Sequence, residues 1–574
     1  MKLKNALNVW GGGQLLAFSG LEGKTDYNDG LVLRTSMDSF GIDIKLPGAG
    51  RIKFKGKASD MILAGDFFNF NNGKVKGAFI DAHHLLIEGD CDIEIKDDTK
   101  LQSKSMAVFK PPINRRVKTR HTCNEVAMPI KIIQHENIAG VQTGKKILIG
   151  TKQFFNPALI GKDIESLIEA RGKWINGIAV PKGVSGSSRR TLQKAFSQMK
   201  TQVYSPEGKI KHYWTTPDRW PHRQMWLWDS VFHAVGLRHI DIGLARDAIS
   251  ALFDTQKKDG MIAHMMNPYA SSDITQPPII ALGIKLVNET SSSPKWIKEL
   301  YPKLKKYIEW DLKNRDSDGA GLCEWFIEGN VNCRCGESGL DNSPRFDCAQ
   351  KLDATDFNAY LGLECEIMSE FAKIAGHRKD VGLWKERHGR ICRLINERLW
   401  SEKKGFYFDY NLKEKQQSDV YAVSGFLPLI CGAPSKQQVQ KLVAHMKNPR
   451  TFGTPLRLPS IARCNEEYYS KDMWRGPVWV ATNWLIILGL KRYGYIAEAK
   501  ALAGETMKEI EDKYMKYGTF FEFFDDRRKV DPPKLLRKGR NAPEINPTHQ
   551  VLFDYGWTAT LYADLAFKGV LGSQ

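Results

Sequence analysis

Glu337-Ser338-Gly339-Leu340-Asp341-Asn342-Ser343-Pro344-Arg345-Phe346-Asp347 packs three carboxylates and an arginine into one turn-prone run. Far downstream, Gly518-Thr519-Phe520-Phe521-Glu522-Phe523-Phe524 sets a single carboxylate among aromatic rings. Two carboxyl groups on opposite sides of a sugar are what glycosidic cleavage requires, one to protonate the departing oxygen and one to activate water or attack. Asp341 reads as the acid, because Glu337 and Asp347 beside it would discourage its ionisation. Glu522 reads as the base. The residues alone leave other readings open: Asp341 before Asn342-Ser343-Pro344 also suits a turn, and Glu522 also suits an edge strand facing solvent.

A sugar pocket needs aromatic platforms beside fixed polar groups. Trp220, Trp226, Trp228 and Asp229 supply these in one segment, and Trp474-Arg475-Gly476-Pro477-Val478-Trp479 in another. Other chemistries find less support. Cys323, Cys333, Cys335 and Cys348 cluster near the acidic run without the paired spacing of structural zinc sites, and read as packed thiols. Asn314-Arg315-Asp316-Ser317-Asp318-Gly319 shares the opening of a calcium loop but reads as a turn. No metal or cofactor is expected.

These residues need elements to carry them. Up to about Phe155 the sequence alternates in short runs, such as Leu31-Val32-Leu33-Arg34-Thr35, Gly41-Ile42-Asp43-Ile44-Lys45-Leu46 and Lys146-Ile147-Leu148-Ile149, a period of two that predicts antiparallel β-structure arranged as a sandwich. After Asp163 the period becomes helical. A linker helix and Gly-rich crossing are expected over 161–188. About twelve helices follow, near 189–203, 229–239, 242–256, 276–288, 294–314, 354–375, 378–401, 418–431, 435–447, 474–494, 496–516 and 549–568. So many helices with no intervening strands predict a closed ring of paired helices over 189–574, after a β-sandwich domain over 1–160. Long segments between alternate helices, 213–228, 316–347, 468–474 and 518–546, carry the unusual residues and would converge on one rim.

The chain has 574 residues, a hydrophobic fraction of 42% and a net charge of +19. That charge invites a polyanion, but the basic residues are dispersed. The two concentrations, Arg115–Arg120 and Lys534–Arg540, fall in no nucleic-acid-binding pattern and read as solvated surface. No signal-peptide core or membrane span is expected, the ten cysteines fit a reducing compartment, and the expectation is a cytoplasmic protein without nucleic-acid or membrane partners.

Six motifs in order, Trp228-Asp229-Ser230-x-Phe232, Thr275-Gln276-Pro277-Pro278, Glu337 to Arg345, Trp474-Arg475-Gly476-Pro477-x-Trp479, Phe521-Glu522-Phe523-Phe524 and Gly556-Trp557-Thr558, make the chain from about Tyr213 onward resemble the inverting glycosidases of family 63 and its clan relatives, trehalases included. The resemblance implies a mainly α, (α/α)6 barrel catalytic domain, with Asp341 as general acid and Glu522 as general base. Trp228, Asp229, Gln276, Glu337, Arg345, Trp474, Arg475 and Trp479 would shape the sugar subsite. The implied reaction releases a terminal sugar, glucose by expectation, from a small or oligosaccharide α-linked substrate. An α-mannosidase, a glycosylglycerate hydrolase or a non-catalytic carbohydrate-binding protein are the alternatives. The N-terminal β region carries no matching motif.

Overall fold

The computed structural model describes separate stretches below residue 155 (16–19, 31–35, 49–54, 62–63, 67–70, 72–81, 84–96, 108–109, 131–134 and 138–151). From 155 onward it describes all residues except 205, 207, 219–221, 223, 331–332, 348, 350, 540–550, 553, 570 and 573–574. The first part forms two antiparallel sheets. One is five-stranded, in the order 16–19, 31–35, 49–54, 91–96, 108–109; the other is seven-stranded, in the order 131–134, 138–143, 146–151, 84–89, 75–79, 67–70, 62–63. The alternating runs at 31–35 and 146–149 lie in these strands, while the run at 41–46, the basic run at 115–120 and Trp220 lie outside the described residues.

Thirteen helices follow among the described residues: α1 (Ile164–Asn176), α2 (Gly186–Thr201), α3 (Leu227–Leu237), α4 (Ile242–Asp254), α5 (Ile280–Thr290), α6 (Pro294–Asn314), α7 (Thr355–Ala375), α8 (Arg378–Leu394), α9 (Pro428–Cys431), α10 (Lys436–Lys447), α11 (Val480–Arg492), α12 (Ile496–Tyr517) and α13 (Gly556–Ala566). The molecule is mainly helical. Helix α1 lies on the seven-stranded sheet, with Ile164 packed against Leu86 and Leu148, and Leu167 and Ile168 against Phe67 and Ala78.

Contacts among the later helices close on themselves. Helix α3 touches α5, α5 touches α7, then α9, α11 and α13 follow in turn, and α13 returns to α3. Helices α2, α4, α6, α8 and α12 lie against this ring. The sequence explains the two layers. Every residue of α3 and α13 is buried, as suits a helix apolar on all sides. Helix α6 buries only one stripe, Trp296, Ile297, Leu300, Tyr301, Leu304, Tyr307 and Ile308, at the three-and-four spacing of a helix with one face in solvent. Each such side chain contributes about 1.5–3 kcal/mol by leaving water.

The expectation of helices without intervening strands needs correction, because short paired strands lie between them (203–204 with 214–215, 225–226 with 265–266, 352–353 with 410–411 and 416–417, 400–401 with 406–407). Helix bounds need it too: the α-helix in 378–401 ends at Leu394 and that in 549–568 begins at Gly556. In 418–431 only Pro428–Cys431 is α-helical, after a short 3-10 turn at Val423–Phe426, because Pro428 has no N–H to donate and starts a helix instead of continuing one. In 474–494 the helix begins at Val480. Gly476 and Pro477 hold the preceding residues in a loop, and a Cβ on Gly476 would lie 1.9 Å from the Ser470 carbonyl oxygen.

Candidate active site

Five of the ring helices are entered through a segment that carries a predicted site residue. Trp228 and Asp229 start α3, Gln276 precedes α5, the 337–347 turn precedes α7, Trp474 to Trp479 precede α11, and Glu522 lies on the segment before α13. Trp228 and Asp229 lie in the first turn of α3, while the other site residues lie on the segments that lead into the ring helices.

Glu522 does not face solvent; it is 1% exposed. Its backbone is tied on both sides. Glu522 N–H donates to Leu552 O at 3.2 Å, and Phe524 exchanges N–H···O bonds with Val478 at 2.8 and 3.0 Å. Arg537 grips the carboxylate with two bonds, Nε to Oε2 at 2.7 Å and Nη2 to Oε1 at 3.2 Å. The very next residue, Lys538, places Nζ 2.7 Å from Asp341 Oδ2. Adjacent cations on one loop thus hold the two carboxylates, which are 181 residues apart in the chain (522 − 341).

This arrangement corrects two expectations. The Lys534–Arg540 run is not a solvated surface throughout, since Arg537 is buried with Glu522. Nor do neighbouring carboxylates hold a proton on Asp341. Burial, the largest single effect, pushes its carboxyl up, but the charge and hydrogen bond of the Lys538 ammonium, together with Arg537 and, where it is protonated, His264, bring it below the ordinary range. Glu337 is occupied elsewhere, accepting from Arg315 Nη2 at 2.6 Å, Thr275 N–H at 2.9 Å and Phe326 N–H at 2.7 Å. Asp347 is held by Arg475 and by Arg334.

Asp229 stands near both carboxylates. Burial pushes its pKa well above the ordinary value, and the charges of Asp218, Glu522 and Asp341 push in the same direction. Its Oδ1 is buried without a hydrogen-bond partner among the described residues, as are Trp474 Nε1 and Trp557 Nε1. A buried polar atom without a partner costs about 1–3 kcal/mol, a cost that a polyol could recover by bonding to it.

The indoles form one connected wall. Trp474 stacks on Trp479 with centroids 3.8 Å apart and planes within 3°, Trp479 meets Trp557 at 5.5 Å, and Trp557 meets Trp228 edge-on at 5.1 Å. Gly339 adopts φ +70° and packs so closely on Trp228 that a Cβ there would lie 2.4 Å from Cζ2. Only glycine brings the Asp341 turn down onto that ring. Gln276 accepts from Trp228 N–H at 3.2 Å, and Asn342 accepts from Trp474 N–H at 3.0 Å, linking the turn to the indole wall.

Arg345 is taken up elsewhere. Its guanidinium makes four bonds of 2.6–2.9 Å to Asp356 and Asp409, all three side chains being buried, so it braces the turn at the start of α7. Arg475 likewise forks onto Asp347 at 3.0 and 2.6 Å. Sequence reasoning missed Arg537, Lys538, Asn342 and His264. The signal for the first two was their place in the long 518–546 segment already expected at the rim.

The carboxylates of Asp316, Asp318 and Glu324 approach within 4.8 Å of one another in a turn stitched by N–H donors from Ser317, Ala320 and Gly321. Of the clustered thiols, Cys348 lies outside the described residues; Cys323, Cys333 and Cys335 pack as neutral groups, burial pushing all three up, Cys333 to about 12 with Asp341 adding to it. No helix among the described residues is long and apolar enough to cross a membrane.

The family model for the mannosylglycerate hydrolase MGH1-like glycoside hydrolase domain matches residues 222–529. The chain is 26% identical over 391 residues to the mannosylglycerate hydrolase of Thermus thermophilus, covering 54% of this chain and 91% of that one. It is 22% identical over 409 residues to the glucosylglycerate hydrolase of Mycolicibacterium hassiacum, covering 54% and 87%. In fold it is similar to the crystal structure of the family 63 mannosylglycerate hydrolase from T. thermophilus in complex with glucose, with a TM-score of 0.54, 23% identity and coverage of 66% and 100%. The neutral trehalase Nth1 of Saccharomyces cerevisiae gives a TM-score of 0.51 at 16% identity, covering 71% of this chain and 84% of that one.

Proposed function

The chain belongs to the mannosylglycerate hydrolase MGH1-like glycoside hydrolases of family 63, and from that premise we propose that it is an inverting, exo-acting enzyme that removes a terminal sugar from a small α-linked substrate. Asp341 is the general acid and Glu522 the general base. The ring of α3, α5, α7, α9, α11 and α13, with its outer helices, is read as an (α/α)6 barrel over 189–574, preceded by a β-sandwich domain over 1–160. The observation that carries the proposal is the pair Arg537 and Lys538, consecutive cations that bring the two carboxylates to one place.

The chemistry follows from the surroundings. Asp341 protonates the glycosidic oxygen as the bond to the anomeric carbon breaks. Glu522, oriented by the Arg537 fork, takes a proton from the water that attacks the opposite face. Asp229 Oδ1 and the Trp474 and Trp557 N–H groups supply hydrogen bonds to sugar hydroxyls, while the Trp474–Trp479 stack offers an apolar wall. Trp228 and Gln276 shape that subsite. Glu337, Arg345 and Arg475, each bound to protein partners, position the acid turn. Glucosyl- and mannosylglycerates, named for two relatives, join simple α-glucosides as the substrates to test.

Replacement supplies the test. Asp341→Asn and Glu522→Gln should each lower kcat/KM by about 10²–10⁴-fold or more; Asp341→Asn should leave the thermal transition near that of the parent, whereas Glu522→Gln, which leaves Arg537 buried without its carboxylate, should lower it by a few degrees while the protein still folds. A variant that keeps near-parental turnover removes its residue from the mechanism.

A further inference from the structure

Asp341 carries a partner that works against a general acid. Lys538 Nζ sits 2.7 Å from Oδ2, and an ammonium on the oxygen that must hand over a proton favours the ionised carboxylate. We propose that Lys538 gates the acid: an anionic group on the leaving part of the substrate draws the ammonium away from Asp341, the freed carboxylate takes up a proton from solvent, and cleavage is thereby tied to leaving groups that carry a carboxylate. This deepens the reading above and rests on Asp341 being the acid. The balance is that of hydrolysis. The proton taken up by Asp341 passes to the glycosidic oxygen as the C–O bond breaks, and the water that forms the new C–O bond gives its proton to Glu522.

Three features distinguish Lys538 from a merely structural cation. Its neighbour Arg537 makes two bonds to Glu522 and is 3% exposed, whereas Lys538 makes its ion pair with side chains 17% and 19% exposed, so that this pair, unlike the other, is partly open. The loop is pinned on both sides of it, by Leu536 N–H to Lys471 O at 2.9 Å, Met473 N–H to Leu536 O at 3.1 Å and Gly539 N–H to Asp472 Oδ2 at 2.9 Å. Lys538 itself stands at φ +56°, an uncommon left-handed conformation for a residue with a side chain.

Among the described residues, the other groups around Asp341 leave Lys538 as its nearest cation. Arg537 is bonded to Glu522, and His264, bonded through Nδ1 to Ser272 Oγ, is held down to about 4 by burial and is uncharged near neutrality. Cys333 is undissociated, and burial keeps Asp229, at the start of α3, protonated to higher pH than an ordinary carboxyl.

The test compares two substrates with the same glycone, an α-glycosyl glycerol and the corresponding α-glycosyl glycerate, which differ by CH2OH against a carboxylate. The parent should prefer the glycerate by about 10–100-fold in kcat, the effect of one to two pH units of acid protonation. The alkaline limb of its kcat profile for the glycerol should lie at least about one unit lower than for the glycerate. In Lys538→Gln the preference should fall to within about threefold and the two alkaline limbs should coincide; Lys538→Arg should retain the preference. Thermal denaturation checks that both variants fold. Persistence of the preference in Lys538→Gln overturns the proposal. So does loss of preference through KM alone with both limbs unmoved, which describes a simple anion contact. If Asp341→Asn hydrolyses both glycosides at the parental rate, the acid assignment itself falls, an outcome distinct from any result with Lys538.

Discussion

Removing the Arg345 guanidinium tests whether the acid turn depends on a buried ion cluster. Arg345→Met leaves a side chain of similar length but deletes four charge-assisted bonds of 2.6–2.9 Å to Asp356 and Asp409. The carboxylates keep some partners, Trp325 Nε1 on Asp356 at 2.9 Å and Thr355 N–H on Asp409 at 2.9 Å. They lose their only cation among the described pairs. Breaking a buried pair from one side costs about 3–5 kcal/mol, because the remaining charge stays in a poorly polarisable interior. For a cooperative unit of roughly 390 residues, with an unfolding entropy near 2.1 cal/mol/K per residue, about 4 kcal/mol lowers the transition by about 5 °C. Differential scanning calorimetry measures it. The triple variant Arg345→Met/Asp356→Asn/Asp409→Asn should recover most of the loss, since no buried charge is then left alone. A single variant within 1 °C of the parent would refute the reasoning, and one with normal stability but a raised KM would return Arg345 to the sugar.

Asp229→Asn should raise stability while lowering activity. The folded carboxyl has a pKa well above its ordinary 3.8, through burial and then the charges nearby, so the native state favours the protonated form and loses stability as pH rises above 3.8. The variant's advantage in transition temperature should therefore be present at pH 7 and vanish near pH 4; an unchanged difference across that range would deny the shift. Gly339→Ala should lower kcat by about tenfold or more without touching a carboxylate, since the new methyl would lie 2.4 Å from the Trp228 ring at a positive φ. Wild-type turnover in that variant would show that the turn can retreat from the indole at no cost. Trp474→Phe removes an unpartnered buried indole N–H, and steady-state kinetics should show a higher KM or lower kcat with stability changed by less than about 1.5 kcal/mol; unaltered kinetics would exclude a sugar contact.

Much of this architecture was legible where helices carry strong local signals at their starts and along one face. Helix α6 coincides with the predicted 294–314: Ser293 caps it, Pro294 opens it, and its apolar stripe keeps one period throughout. Segment 418–431 was less legible, since its apolar content hid a 3-10 turn that Pro428 imposes. At the site, residue types announced themselves but partners did not. Glu337 and Asp347 stand close to Asp341 in sequence, yet Arg315 and Arg475 bind them. The groups that set the charge at the candidate acid and base come from 537–538, nearly 200 residues beyond Asp341, in a basic run whose composition matches solvated surface. One-dimensional spacing has no means of reporting which cation of such a run turns inward. The pinning of that loop by Lys471 and Asp472 is a tertiary fact.

The most direct test of the central claim follows the anomer first released from an α-linked substrate. The parent protein should be screened against α-glucosides, α-mannosides and their glycerates, and a cleaved substrate followed by ¹H NMR before mutarotation equilibrates the product. Two carboxylates that act across one sugar with water between them release the β-anomer first. Release of the α-anomer first would contradict the assignment of Glu522 as a base acting on water.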